Sequence, residues 1–438
     1  MDSAIVVVIA IAVLIILFAL GVHIGLTLGI VGFLGTVVVK GNWTAGLTLL
    51  TSVPYYSTAS YLLAILPLFF LMGMFAFYGG ISQGAYRTAR NWLGSLPGGL
   101  SIATVWACVA FGATCGSNLA AASVFTKTSL PEMTAAGYDR KSACGVIGAA
   151  STISQLIPPS ILLVFFAIIT QQSVARLLLA GVLPGLVLAV VISVGVWVMA
   201  VRNPRLGPPI AIRVTWREKF VSLRELWPVG VLALIVMGGI YGGVFSPTEA
   251  GAVGAAAALI IAVARKGLNW TRLRSAMVET VEFTCTLILT LIGAMIFARF
   301  LAISGFGAKA SELLMGLKVP PMVILVGLML LCLLMGCFID AVSIMAITLP
   351  IVFAPVLEMG FDPTWLGIVI VLVLTTGALT PPFGLTVFVI KAAAGDDMSV
   401  VDVFRGSFWF FTLLLISAAI MIAFPQISLF LPNMRQGL

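Results

Sequence analysis

Charge is scarce in this sequence. Lysine, arginine, aspartate and glutamate make up 9% of its 438 residues, against about 25% in an ordinary soluble domain. That shortage, beside 61% hydrophobic residues and a mean hydropathy of +1.20, excludes a water-soluble globular protein. Histidine is nearly absent: His23 is the one copy, so zinc chemistry and a Ser/His/Asp triad have almost no raw material. The six cysteines (Cys108, Cys115, Cys144, Cys285, Cys332, Cys337) stand in apolar stretches without paired metal-type spacing and read as small buried hydrophobes. With no HExxH motif either, a membrane enzyme or redox-complex subunit is disfavoured, and no cofactor is expected. The alternating pattern of an outer-membrane barrel is missing. No basic n-region precedes the first apolar run, which is therefore a retained span and not a cleaved signal peptide. The net charge of +8 sits in membrane-flanking loops and does not point to nucleic acid.

What is present is a series of apolar runs between residues 4 and 423, each near the roughly 20 residues that cross a bilayer. The fold class is an all-α polytopic membrane protein. Spans are expected at residues 4–22, 24–39 and 62–77, with an aromatic interfacial stretch at 40–60. Residues 79–96, carrying Arg87 and Arg90, are too polar to span and suit an amphipathic arm on the membrane surface. A re-entrant hairpin with short arms follows, its small, polar tip at residues 112–118. The helix over 142–168 is broken by Pro158-Pro159, because proline lacks an amide hydrogen and clashes with the preceding turn. A surface stretch (171–182), a span (183–200) and a basic loop (202–224) close the first half.

The second half repeats the plan. Spans are expected at 227–244, 249–264 and 284–301, with a basic connector containing Arg272 and Arg274 before the last of these. A polar arm (304–319), a second hairpin (322–357), a helix over 365–390 broken at Pro381-Pro382, an amphipathic stretch (396–405) and a last span (407–423) complete it. Pro97 and Pro320, Gly137 and Gly360, Pro158 and Pro381, and Pro159 and Pro382 are all 223 residues apart. A common offset in the same structural order points to an internal duplication. Five crossings per half is an odd number, so the two repeats are inverted. With the 202–224 loop placed in the cytoplasm, 17 basic residues fall inside and 6 outside, a strong positive-inside bias that puts both termini on the outer face.

Interrupted helices at membrane depth present partial charges, amides toward anions and carbonyls toward cations. Sodium requires a shell of oxygens, which backbone carbonyls and Ser, Thr or Asn side chains supply. The first-half candidates are Gly112, Thr114, Ser117, Asn118, Ser154 and Pro158; those of the second half are Gly336, Asp340, Ser343, Thr376, Gly377 and Thr380. Asp340 is the most informative, since an intramembrane carboxylate is functional by default: it coordinates a cation or shapes the site, with a proton role or a position nearer the surface as alternatives. Plainer readings stand beside these. Glycine-rich tips permit close helix packing, a Pro-Pro pair can be a mere kink, Glu249 suits a helix cap, and His23 suits a turn. Arg87, Arg90 and the 202–224 loop suit topology and lipid headgroups.

Leu62-Leu63-Ala64-Ile65 with Pro67-Leu68-Phe69, Leu96-Pro97-Gly98-Gly99-Leu100, residues 112–121, Pro131-Glu132-Met133, Ile157-Pro158-Pro159-Ser160, Pro247-Thr248-Glu249-Ala250 and Thr380-Pro381-Pro382 form a pattern over nearly the whole chain. It resembles the large membrane subunit (DctM-like, M subunit) of tripartite ATP-independent periplasmic (TRAP) transporters. The resemblance implies an elevator mechanism driven by sodium, a periplasmic binding protein that delivers a carboxylate solute, and a small four-helix membrane subunit. The hairpin tips and Pro-Pro loops are similar to the family's sodium-site elements. On that reading residues 1–96 and 183–319 are chiefly scaffold, 97–182 and 320–405 transport elements, and 406–438 the last span and C-terminus. The location is a bacterial or archaeal cytoplasmic membrane. His23 stands where the family commonly has proline, and Cys115 where a small or hydroxyl residue is usual. No small-subunit region precedes the first span, so that subunit is expected as a separate chain. The competing expectation is a stand-alone sodium/dicarboxylate symporter of the same inverted-hairpin plan.

Overall fold

A helix that begins inside lipid cannot leave its first amides to water, so side-chain caps mark where this chain starts its helices. The computed structural model describes residues 3–209, 214–307, 309, 312, 316, 319–395 and 398–436. Among them every regular element is helical. The polar arm expected at 304–319 lies largely outside the described residues, as do Asp396, part of the expected amphipathic stretch, and Arg213 of the basic loop.

The first half contains α1 (Ser3–Ala19), α2 (Ile24–Lys40), α3 (Trp43–Thr58), α4 (Ile65–Tyr78), α5 (Ile81–Leu93), the hairpin arms α6 (Gly99–Cys115) and α7 (Asn118–Ala135), the two pieces α8 (Arg140–Ile153) and α9 (Ile161–Thr170), and α10 (Val174–Arg202). After α11 (Trp216–Ser222), the second half contains α12 (Trp227–Ala233), which continues through a π-helical stretch to Tyr241, α13 (Pro247–Ala264) and α14 (Trp270–Ser304). Then come the hairpin arms α15 (Pro321–Gly336) and α16 (Ala341–Glu358), the pieces α17 (Pro363–Gly377) and α18 (Leu385–Ala394), α19 (Val400–Ala423) and a short α20 (Gln426–Gln436). Seven helical stretches among the described residues are long and apolar enough to cross a membrane.

Three expected boundaries move, each for the same reason. The surface stretch at 171–182 and the span after it form the single 29-residue helix α10, because Ser173 Oγ accepts the Arg176 amide at 3.3 Å and starts the helix early. Asn269 does the same for α14, accepting from Arg272 at 2.8 Å, so Arg272 and Arg274 fall in the first turns of a 35-residue helix, while Arg265 and Lys266, the start of the expected basic connector, precede it. Ser399 caps α19 ahead of the expected last span. Polar residues that looked like surface connectors are thus the capped ends of long helices. The hairpin arms are also longer than expected, 16 to 18 residues, because residues 112–115 of the first tip are helical.

Two further expectations change. Arg87 and Arg90 meet protein carboxylates, Arg87 with Glu225 at 3.2 Å and Arg90 with Glu132 at 3.0 Å. Thr88 and Trp92 donate to the Ser222 and Lys219 carbonyls, so the amphipathic arm α5 is bolted to α11 and to the base of the first hairpin. Cys285 is exposed, while the other five cysteines are buried. Glu249 does form a capping box with Ser246, and His23 caps α2 through Nδ1, which accepts the Gly25 amide at 3.2 Å.

The core runs through α6–α10 and α15–α19, where α17 is buried along most of its length. Here α8 crosses α19 backbone to backbone. A Cβ on Gly145 would fall 2.1 Å from the Gly406 carbonyl oxygen, and one on Gly406 would fall 1.9 Å from that of Lys141. The Lys141–Asp402 ion pair at 2.7 Å closes the same crossing. Because a side chain has no space there, Gly406→Val should cost about 1–3 kcal/mol by overpacking, read as a lower melting temperature of the detergent-solubilised protein. An unchanged melt would mean that the crossing is looser than described.

Candidate functional site

Each Pro-Pro loop separates two helical pieces and packs against the tip of a hairpin. In the first, α8 ends at Ile153, residues 154–160 turn, and Ser160 starts α9 by accepting the Leu163 amide at 3.2 Å. The Ser160 hydroxyl also donates to the Gln155 carbonyl. Pro158-Pro159 and Pro381-Pro382 are both cis. The tip between α6 and α7 is two residues long, Gly116 and Ser117, and Ser117 Oγ accepts the Ala120 amide at 3.3 Å. Gly116 has φ +61°, and a Cβ there would lie 1.9 Å from the Pro159 carbonyl oxygen, so only glycine lets tip and loop meet. Phe111 and Phe125 hold the two arms together edge to face, with centroids 5.8 Å apart.

The same contacts recur 223 residues on. Asp340 caps α16 as Ser117 caps α7: its Oδ2 accepts the Ser343 amide at 3.0 Å and its Oδ1 accepts the Ser343 hydroxyl. Asp139 and Asp362, the same distance apart in sequence, cap α8 and α17. Gly112 lies against Ser154 as Gly336 lies against Gly377: an added Cβ would approach the partner Cα to 2.8 and 2.9 Å. The second loop differs in how its amides are met. The Cys337 carbonyl of the hairpin tip accepts from both Phe383 and Gly384 at 3.2 Å, where the first loop uses the Ser160 side chain.

The twelve candidate residues fall into three groups. Around the first loop, Gly112, Ser117, Asn118, Ser154 and Pro158 come together, with Thr114 one turn away, its hydroxyl donating to Phe111 at 2.8 Å. Ser154 Oγ donates to the Cys108 carbonyl at 3.3 Å. Around the second loop lie Gly336, Gly377, Thr376 and Thr380; Thr376 donates to Leu372 at 2.7 Å and Thr380 to Thr376 at 3.0 Å, leaving hydroxyl lone pairs as acceptors. The carbonyl oxygens of Pro158 and Thr380 accept no hydrogen bond among the described residues. Asp340 and Ser343 stand apart. They border a cavity of about 340 Å³ whose other side is His23 at the α1–α2 turn and Thr286 and Thr290 of α14.

Two residues that the sequence reading passed over connect the halves. Gln155 Nε2 donates to Asn118 Oδ1 at 3.1 Å, and Asn118 Nδ2 donates to Thr386 Oγ1 of α18 at 3.4 Å. Gln155 Oε1 is buried without a partner, an atom able to accept from a bound molecule. Gln155 sits inside the broken-helix stretch, so its neighbours marked the place, while Thr386 has Leu163 as its counterpart 223 residues back and carries no repeat signal. Cys115 is buried against α4, where a Cβ on Gly73 would lie 2.8 Å from the Cys115 Cα. In sum the arrangement offers carbonyls, hydroxyls and amides to a small ion or polar solute. Among the described residues no cluster of three or more His, Cys, Asp or Glu could hold a metal.

Comparison with known proteins adds an independent line. Residues 11–427 match the family described as "Tripartite ATP-independent periplasmic transporter, DctM component". The chain is 33% identical to the C4-dicarboxylate TRAP transporter large permease protein DctM of Pseudomonas aeruginosa, over 86% of this chain and 88% of that protein. It is 35% identical to the ectoine/5-hydroxyectoine TRAP transporter large permease protein UehC of Ruegeria pomeroyi, over 78% and 79%. Among solved structures, the YdaH transporter of Alcanivorax borkumensis superposes with a TM-score of 0.64 at 15% identity, covering 87% of this chain and 89% of that one. At that identity the likeness is one of fold alone.

The bridge from Gln155 to Asn118 gives a direct test. Gln155→Leu removes the donor to a buried amide oxygen and should destabilise the protein by about 1–3 kcal/mol. Asn118→Ala added to it should cost much less than Asn118→Ala alone. Additive losses in melting temperature would show that the two side chains act separately.

Proposed function

The chain belongs to the DctM-component family of tripartite ATP-independent periplasmic transporters, and on that premise we propose that it is the membrane subunit of a sodium-driven importer of carboxylate solutes. It is a multi-span helical transporter component and not an enzyme. The observation that carries the reading is the pair of Pro-Pro loops, each against a hairpin tip, with loop carbonyls, those of Pro158 and Thr380 among them, that accept no hydrogen bond among the described residues. Oxygens held in place and not otherwise engaged suit a weakly hydrated monovalent cation. Gly112, Thr114, Ser117, Asn118, Ser154 and Pro158 then supply one sodium environment, and Gly336, Thr376, Gly377 and Thr380 the other, with Asp340 and Ser343 adding charge and a hydroxyl from the neighbouring cavity at the second tip. The solute sits between the tips, its carboxylate balanced by sodium and helix N-terminal amides.

The two halves, related by the offset of 223, form inverted repeats that place the termini on the periplasmic face of the cytoplasmic membrane. Residues 97–182 and 320–405 move as a unit past a scaffold built from 1–96, 183–319 and 406–438. Support comes from the matching caps at Ser117 and Asp340 and at Asp139 and Asp362. A periplasmic binding protein delivers the solute and a separate small membrane subunit enlarges the scaffold. The relatives are named for C4-dicarboxylates and for ectoine. Both kinds of solute carry a carboxylate, which supports that class without selecting a member of it.

Reconstituted with its small subunit in proteoliposomes under an inward sodium gradient, the protein should take up solute only when the binding protein is added. Full-rate uptake in its absence would replace this reading with that of a stand-alone symporter. Asp340→Asn should raise the sodium concentration for half-maximal uptake about tenfold, as loss of a charged ligand does. An unaltered sodium response removes Asp340 from the ion site.

A further inference from the structure

One cavity among the described residues lies away from both loops. It measures about 860 Å³ and opens between α3, the α9–α10 junction and α14. That volume is in the range of sites for small organic molecules, roughly 300–1,000 Å³. Its chemistry is one-sided. Arg299 of α14, Ser52, Tyr56 and Ser57 of α3, and Gln171 and Gln172 supply polar groups to a lining that is otherwise mostly apolar, and among the described residues no carboxylate lines it.

Arg299 has no ion pair or hydrogen bond among the described residues. It lies five residues before the end of α14, about 8 Å along the helix. Arg299 is exposed, so its guanidinium is open to an anion or water that enters the cavity. Four basic side chains sit against carboxylates: Arg87, Arg90, Lys141 and Arg176. Arg299 differs from them in facing an open, carboxylate-free cavity large enough for a solute.

We propose that this cavity is an outer receiving site for the carboxylate solute, with Arg299 as its anion-binding group, occupied before the solute reaches the hairpin tips. This rests on the transport reading above, which places the cavity on the periplasmic side. A planar guanidinium grips a carboxylate through two parallel hydrogen bonds, and the Tyr56 hydroxyl and the glutamine amides offer further donors. The solute moves from a charged, wet site to one where sodium replaces arginine as its counter-charge.

The test compares wild type with Arg299→Gln and Arg299→Lys in the reconstituted complex with its binding protein, using succinate as the probe. Arg299→Gln should raise the KM for succinate-loaded binding protein about tenfold with little change in maximal rate, and Arg299→Lys should recover most of the loss. The rise of KM with ionic strength should flatten in Arg299→Gln. In parallel, in sodium-free buffer, where the tips lack the solute's counter-charge, succinate should raise the melting temperature of the solubilised wild-type complex and leave that of Arg299→Gln unmoved. Equal KM and salt dependence, or equal succinate-induced melting shifts, would overturn the proposal. So would a loss of affinity for solute-free binding protein as large as the rise in KM, since Arg299 would then be a protein contact. Uptake by wild type without any binding protein strikes the transport reading alone, because the Arg299 comparison can then be made on free succinate.

Discussion

An amide or carbonyl left without a partner in lipid costs several kcal/mol, and this chain interrupts its helices at four places in its apolar interior. Everything near those places follows from meeting that demand. Ser117, Ser160 and Asp340 cap the new helix starts, and the Cys337 carbonyl takes two amides of the second loop. The hairpin tips lie on the loops because they cover backbone that would otherwise face lipid. Glycines at 116, 336 and 377 allow the covering to be close enough. The few oxygens still free after this are the ones available to a ligand.

The two halves meet the demand differently, and this asymmetry bears on function. The first loop is enclosed by side chains: Ser154, Gln155 and Ser160 are all buried, and Gln155 reaches Asn118 and through it Thr386. In the second loop residues 381–383 are exposed, and Asp340 faces a separate cavity against the α1–α2 turn and α14. A repeat that folds by one plan thus yields two chemically distinct environments. His23 belongs to the second of them: it caps α2 and borders the same cavity as Asp340, a position that an imine ring such as proline fills without a polar edge.

Around the core, charge is used sparingly and mostly in pairs. Arg87–Glu225 fastens α5 to the turn between α11 and α12, Arg90–Glu132 fastens it to the base of the first hairpin, Lys141–Asp402 ties α8 to α19, and Arg176–Asp362 at 3.6 Å ties α10 to the start of α17. Partly exposed pairs of this kind add little stability, about 1 kcal/mol or less. Their contribution is to set the register between elements. Arg299 has no carboxylate partner among the described residues and borders an open cavity instead.

Composition by itself determined that the chain is an all-helical membrane protein, since so little charge leaves no polar surface for water. Spacing located the hairpins and both broken helices, because proline and glycine act on the backbone within a turn of where they stand. Ser117, Asp340, Gly336 and Gly377 were legible for the same local reason, as small or polar residues at a hairpin tip or beside a Pro-Pro pair, whereas the Gly336–Gly377 contact came from packing. Long-helix boundaries at α10, α14 and α19 were not legible, because a capping serine or asparagine looks the same in a sequence whether it ends a surface loop or starts a span. Only the tertiary structure decided that Gln155 reaches Asn118, that Asn118 reaches Thr386 in the other half, and that Arg299 faces Tyr56 and Gln171 across open space. Those partners are tens to hundreds of residues apart, and no local rule of backbone geometry brings them together; packing of whole helices does.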